Sequence, residues 1–196
     1  MTYQFKIKLK DIYYPIVWRR VLVPSDFTFE EFNEVIQIAF GWENMHMYFF
    51  SPKGYRSKPM IESVPELNEF FEMINEGYLN VETTLLSEIF VSEKMKFTYI
   101  YDYGDDWNHQ ITLEKILTND EIEKPVLLKG EGACPPEDSG GPYGYSMLKE
   151  KLADKKHPDH KDMKEWMGLR PRQNWDAAAF DLEAYQQYFN DCFSNE

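Results

Sequence analysis

Two short segments concentrate the residue types that bind ions, transfer protons and form tight turns. The first is residues 101–109, with the sequence YDYGDDWNH, and the second is residues 132–141, with the sequence GACPPEDSGG. Carboxylate, imidazole and thiolate groups can bind metal ions, and carboxylates and imidazoles also act as general acids or bases. The two segments therefore locate a candidate site, but they do not name a reaction.

The candidate site residues are polar or aromatic side chains in and near these segments, together with glycines that shape the loops. They are Arg19, Arg20, His46, Asp102, Gly104, Asp105, Asp106, Trp107, His109, Cys134, Glu137, Asp138, Gly140, Gly141 and Tyr145. Some of them could bind zinc, but their spacing matches no standard zinc pattern. We therefore predict neither a bound metal ion nor a cofactor.

Residues 95–113 are predicted to form a β-hairpin, because apolar residues alternate with polar ones on both sides of Gly104. A three-residue loop at 103–105 pairs Tyr101 with Trp107 and keeps one continuous apolar face. A loop of two or four residues would put the two apolar sets on opposite faces. We therefore predict the three-residue loop, with Gly104 taking a positive φ.

The same register fixes where the charged side chains of the hairpin lie. Asp102 and Asp106 are opposite each other, and directly opposed like charges destabilise a sheet unless something neutralises them. Either a cation or the backbone N–H groups of the turn could do so. His109 is on the other face, where it is interpreted as a packed core histidine, with a role as ligand or base as the alternative. His109 and the two aspartates are not expected to share a ligand.

Strand patterns dominate the first part of the chain. Strands are predicted at residues 3–9, 16–23 and 45–50, the last containing His46. The second strand would carry Arg19 and Arg20 on opposite faces, so one of the two guanidinium groups points inward.

Helical patterns dominate the end of the chain, which predicts an α+β fold. Thr28 and Glu31 have the spacing of a capping box, and the helix that they begin should end at Gly41. Other helices are predicted at 84–90, 145–153, 159–167 and 182–191, and another strand at 126–128. We expect an antiparallel or mixed sheet with a central aromatic hairpin, packed against several helices.

The length of 196 residues fits a single domain spanning residues 1–196. Residues 54–80, with a candidate short helix near 66–75, have no clear periodicity and are interpreted as an insertion at the edge of the domain.

The composition excludes several classes of function. The net charge is −13, with the acidic excess concentrated in residues 61–130, so broad binding to nucleic acid is disfavoured. No apolar stretch is long enough to span a membrane, and the start of the chain does not resemble a secretory signal. With only two cysteines, a disulfide framework is not expected, and we predict a cytoplasmic location.

Five motifs, in order along the chain, resemble the plasmid pRiA4b ORF-3-like family. They are VWRRV at 17–21 with Pro24, the segment from Ile36 through FGW at 40–42 to His46, residues 101–109, residues 133–145, and Phe180 with Asp181. The resemblance covers most of the chain outside 54–80. It implies an α+β fold and an intracellular bacterial or archaeal protein, from a family often found near mobile elements and at times labelled resolvase-like.

Two features distinguish this chain from what the resemblance implies. A second histidine and a cysteine are common in the family where this chain has Tyr48 and Ser139, so two metal-binding side chains are replaced. The resolvase label also fits poorly, since a serine recombinase needs clustered arginines and a DNA-binding module. This acidic chain has few arginines and no recognisable module of that kind.

The leading functional interpretation is a non-enzymatic binding or accessory domain associated with mobile elements. Its groove would form between the hairpin turn at 101–109 and the loop at 132–145, and would take a protein or a small polar ligand. One alternative is a metal-assisted hydrolase or nuclease that uses the aspartates, Glu137 and His109. Another is nucleic-acid contact through the basic N-terminal strands, with Arg19 and Arg20. The sequence leaves the choice between enzyme and binding domain open, and the groove requires that the two loops meet.

Overall fold

The structure is a computed structural model that describes residues 1–63 and 76–194. The strands are β1 (Thr2–Leu9), β2 (Trp18–Pro24), β3 (Tyr48–Ser51), β4 (Met60–Glu62), β5 (Tyr78–Asn80), β6 (Lys96–Tyr101), β7 (Trp107–Leu117) and β8 (Val126–Glu131). The helices are α1 (Phe29–Phe40), α2 (Leu86–Ile89), α3 (Gly141–Ala153), α4 (His160–Trp166) and α5 (Leu182–Ser194). The predicted α+β class is confirmed. The helix expected near 66–75 lies outside the described residues.

The strands form one mixed sheet in the order β5-β4-β3-β6-β7-β1-β2-β8. Neighbouring strands are antiparallel except β4 and β5, which are parallel. The β6–β7 hairpin is at the centre of the sheet, as predicted. Its apolar face continues onto β1, whose alternating Tyr3, Phe5, Ile7 and Leu9 are buried.

The register of the hairpin confirms an odd-numbered loop, because Tyr101 pairs with Trp107. The strands end at these two residues, so the loop comprises residues 102–106 instead of the predicted 103–105. The prediction that Gly104 takes a positive φ is wrong. Asp102 and Asp106 do so instead, with φ values of 57° and 54°. Aspartate tolerates this region because its short side chain can hydrogen-bond to the local backbone. The Asp102 carboxylate indeed accepts a hydrogen bond from the Gly104 N–H at 2.9 Å.

Helix α1 covers the buried face of the sheet and has the predicted boundaries. The Glu31 N–H donates to Thr28 Oγ1 at 3.2 Å, and the Thr28 N–H donates to the Glu31 carboxylate at 2.6 Å. Gly41 ends the helix with φ 80°. The chain then enters a loop before β3, so the strand expected at 45–50 begins only at Tyr48, and His46 lies in the loop.

Arg19 and Arg20 lie on opposite faces of β2, as predicted. Arg19 is fully buried, and its guanidinium donates hydrogen bonds to the carbonyl oxygens of Ala39, Trp18, Glu131 and Gly132 at 2.8 to 3.1 Å. These acceptors belong to the end of α1, to β2 and to the end of β8. Because the buried charge is met by four carbonyl oxygens, Arg19 fastens these elements to one another.

Candidate functional site

Three loops meet at one end of the sheet, and we call this region the loop junction, made of residues 41–47, 102–106 and 132–141. The Gly140 N–H donates to Asp105 Oδ2 at 3.0 Å. Gly141 has φ +66° and lies so close to the Asp105 carbonyl oxygen that a Cβ atom would collide with it. The two segments that the sequence singled out are therefore in direct contact.

The loop at 41–47 is fastened to the second segment by side chains. The indole N–H of Trp42 donates to the Pro135 carbonyl oxygen at 2.9 Å. The Tyr101 hydroxyl donates to Glu137 Oε1 at 2.6 Å, and the Glu43 N–H donates to the same oxygen at 3.2 Å. Burial raises the pKa of the Tyr101 hydroxyl, which keeps its proton available for this bond. Glu137 thus holds the loops together.

The loop junction brings together one imidazole and two carboxylates, and we call His46, Asp102 and Asp138 the three-residue cluster. The His46 Nδ1 atom is 3.7 Å from Asp102 Oδ2, and its Nε2 atom is 3.4 Å from Asp138 Oδ1. One ligand atom from each residue lies within 4.8 Å of the others. Both His46 distances exceed the usual hydrogen-bond range of about 2.7 to 3.2 Å.

The turn aims the Asp102 carboxylate into this cluster. Its Oδ1 atom accepts hydrogen bonds from the N–H groups of Gly104 and Asp105 at 2.9 and 3.3 Å. Its Oδ2 atom faces His46, while the whole residue is only 8% exposed. A positively charged partner would stabilise this carboxylate further, and a metal ion in the cluster would supply one.

The other carboxylates of the two segments have different partners. Asp106 accepts a hydrogen bond from the Tyr55 hydroxyl at 3.0 Å. Burial, together with this bond, raises the pKa of the Tyr55 hydroxyl to about 12. Asp105 binds the Gly140 N–H, and Glu137 binds Tyr101. Hydrogen bonds to each carboxylate therefore offset the charge repulsion between Asp102 and Asp106. The Oδ2 atom of Asp102 takes no part in these bonds and faces the cluster.

Several predicted site residues lie in the core and have no surface to offer a ligand. Trp107, His109 and Tyr145 are at most 1% exposed, and Arg19 is fully buried. His109 lies among the rings of Phe40, Trp42 and Tyr99 rather than beside the aspartates, in agreement with the expectation that they do not share a ligand. Burial raises the pKa of the Cys134 thiol, so it remains protonated.

The arginines do not form the basic patch that the nucleic-acid alternative assumed. Arg19 points into the core, and Arg20 Nε lies 2.6 Å from a carboxylate oxygen of Glu114, which lowers the pKa of that carboxyl group. An Arg19 variant would therefore test the fold and not an interface. Trp42 and Tyr101, which fasten the loops, are absent from the predicted site residues, because nothing in their local sequence indicates a partner about 35 to 95 residues away.

None of the described helices has both the length and the apolar character needed to cross a membrane.

Comparison with known proteins identifies the family. The family model described as plasmid pRiA4b ORF-3-like protein matches residues 1–184. The chain is 35% identical, over 178 residues, to the uncharacterized protein y4hQ of Sinorhizobium fredii, covering 90% of this chain and 85% of that protein. The structure is also similar to the crystal structure of MM3350, a protein of unknown function from Methanosarcina mazei Go1. The TM-score is 0.76 and the sequence identity is 29%, and the match covers 93% of this chain and 96% of that one. The chain belongs to the plasmid pRiA4b ORF-3-like family, as its motifs predicted.

Proposed function

We propose that this member of the plasmid pRiA4b ORF-3-like family is a binding domain that holds its ligand at the loop junction through a divalent metal ion bound by His46, Asp102 and Asp138. The observation that carries the proposal is the position of His46 between two carboxylates, with Asp102 Oδ2 3.7 Å from its Nδ1 atom and Asp138 Oδ1 3.4 Å from its Nε2 atom. This revises the expectation from the sequence that no metal is bound, since no spacing pattern connects the three residues.

The proximity of the three side chains supports a metal ion, because one ligand atom from each residue lies within 4.8 Å of the others. Ligand atoms around a tetrahedral zinc ion lie roughly 3.3 Å apart. The 3.4 Å distance to Asp138 starts at His46 Nε2 and the 3.7 Å distance to Asp102 starts at Nδ1, so a single ion would bind one ring nitrogen and draw the other carboxylate toward it. One imidazole and two carboxylates would favour zinc or a similar divalent transition ion.

The first test is zinc titration of the untagged, chelator-treated protein by isothermal titration calorimetry. We expect binding near one zinc ion per chain, with Asp102→Asn and His46→Ala each lowering the affinity at least tenfold. Asp106→Asn is the matched control, because Asp106 occupies the mirror position of the turn with the same φ but faces Tyr55.

Two results would contradict the proposal. One is a wild-type protein that takes up no zinc. The other is a loss of zinc affinity in Asp106→Asn as large as the loss in Asp102→Asn. That result would mean that zinc binding depends on the conformation of the whole turn and not on the cluster. In the first case the cluster would be a contact between His46 and two carboxylates without a metal ion.

A metal-assisted hydrolase is the second candidate, and it depends on the same proposed metal site. A site with three protein ligands leaves a coordination position for water, which is the arrangement of catalytic zinc sites. His109 is buried and would have no part in such a reaction, unlike in the sequence-based version of this hypothesis. Hydrolysis of bis(p-nitrophenyl) phosphate by the zinc-loaded protein, lost in Asp102→Asn and kept in Asp106→Asn, would favour the enzyme.

We also propose that the protein is cytoplasmic and that it is associated with mobile elements. Cys134 and Cys192 are both free thiols, which suits a reducing compartment. The family's description refers to a plasmid, which supports an accessory role in such elements.

A further inference from the structure

A cavity of about 340 Å³ opens beside the three-residue cluster. Its walls come from the second segment of the loop junction, from α3 and from α4. Asp138 belongs to both sites, because it lines the cavity and also lies 3.4 Å from His46. A molecule in this cavity would therefore contact Asp138, one of the three residues of the cluster.

The walls of the cavity are mainly apolar and partly exposed. Met147 and Leu148 of α3 face Met163 and Trp166 of α4. Trp166 is 48% exposed and Met147 is 36% exposed. Exposed apolar surface gathered around a cavity is typical of a binding site. Methionine side chains adapt to the shape of a ligand and make favourable contacts with aromatic rings.

The charged groups of the cavity leave the metal ion as the group that would bind a carboxylate. Lys151 contributes to the wall, but its Nζ atom is 2.9 Å from Asp159 Oδ2, so its charge is already paired. A metal ion held by three protein ligands would keep an open coordination position for a carboxylate oxygen. The methionines and Trp166 would accept an apolar body.

We propose that this cavity binds a small carboxylic acid with an aromatic body, whose carboxylate completes the coordination of the metal ion. The inference rests on the proposed function, since it places the ligand's donor group on the ion held by His46, Asp102 and Asp138. The cavity volume lies near the lower limit of about 300 to 1,000 Å³ that is usual for small-molecule sites, which fits a single ring with a short chain.

The test uses the zinc-loaded full chain, with methyl-¹³C methionine and 3-phenylpropionate as the probe. We expect the probe to shift the Met147 and Met163 methyl signals, assigned with Met→Leu variants. It should bind at least tenfold more tightly than acetate, which lacks the aromatic body, and than 3-phenylpropionamide, which lacks the carboxylate. Chelation of zinc should weaken the probe at least tenfold.

Two variants separate the cavity from the metal site. Trp166→Ala should lower the affinity for 3-phenylpropionate at least fivefold while leaving zinc affinity unchanged. Tyr143→Ala is the control, because Tyr143 lies on α3, is 78% exposed and does not line the cavity. Zinc binding with no methyl shift, or with equal affinities for the three probes, would overturn the cavity proposal and leave the metal site intact. Absence of zinc binding would overturn the proposed function and the metal-linked ligand with it.

Discussion

The buried imidazole of His109 should make the protein unstable in acid. His109 is fully buried, and its ring nitrogen atoms have no hydrogen-bond partner of good geometry among the described residues, although the backbone of Tyr99 and Trp107 lies near them. The rings of Phe40, Trp42 and Tyr99 surround it, with centroids 5.0 to 5.2 Å from its own. Burial lowers its pKa from 6.5 to about 3, because a charged imidazole would lose its hydration there.

The sign of the effect follows from linkage. The folded-state pKa of His109 is below its unfolded-state pKa, so the unfolded chain binds the proton more tightly. The stability that depends on neutral His109 is complete above pH 6.5 and is lost as the pH falls from 6.5 toward 3. The slope is about 1.4 kcal/mol per pH unit. Between pH 7.5 and 4.5 the loss is therefore roughly 2 to 3 kcal/mol.

The assay is urea denaturation of the wild type and His109→Leu at several pH values between 7.5 and 4.5. Leucine has a similar volume and does not titrate. Any loss of stability from its different shape is therefore the same at every pH and does not affect how the difference between the two proteins changes with pH. We expect the difference in unfolding free energy between the two proteins to move by roughly 2 to 3 kcal/mol in favour of the variant at low pH. His157→Gln, which changes a histidine outside the core, should follow the wild type. Parallel curves for wild type and His109→Leu would refute a depressed pKa.

Three further predictions concern the residues that hold the loop junction. Arg19→Met should destabilise the protein by about 3 kcal/mol or more in urea denaturation, because four buried carbonyl oxygens lose their hydrogen-bond donor. Arg20→Met should cost about 1 kcal/mol in the same assay, because it removes only a partly exposed ion pair with Glu114. Gly141→Ala should lower the free energy of unfolding by at least about 2 kcal/mol more than Gly168→Ala in the same assay. Both glycines have φ +66°, but only a Cβ atom at Gly141 would collide with a backbone oxygen. Equal losses would show that this close contact does not matter for stability. Glu137→Ala should weaken zinc binding by about 10-fold, because it removes the oxygen that accepts from Tyr101 and from the Glu43 N–H. Unchanged affinity in calorimetry would show that the cluster does not depend on these bonds.

The register of the central hairpin could be predicted from the sequence, because it depends on the alternation of apolar residues within one short segment. Alternation around Gly104 allowed only an odd-numbered loop with one apolar face, and the observed pairing of Tyr101 with Trp107 follows. The capping box of Thr28 and Glu31 similarly fixed the start of α1. The turn itself was mispredicted, since glycine is the usual residue at positive φ but two aspartates can take this conformation when hydrogen bonds hold it.

The cluster could be predicted only in part. His46, Asp102 and Asp138 were all candidates, yet their grouping depends on three loops that meet through long-range contacts such as Trp42 with Pro135. No local pattern encodes such contacts. The same reason explains why Arg19 and Arg20 were both among the candidate site residues. Alternation along β2 separates their faces, but it does not say which face α1 covers.

The most direct test of the metal site is anomalous diffraction at the zinc edge from crystals of the zinc-loaded protein. We expect one strong peak at the loop junction, about 2.0 to 2.2 Å from a His46 ring nitrogen and from carboxylate oxygens of Asp102 and Asp138. A peak at another place, or none at the cluster in crystals grown with saturating zinc, would contradict the central claim.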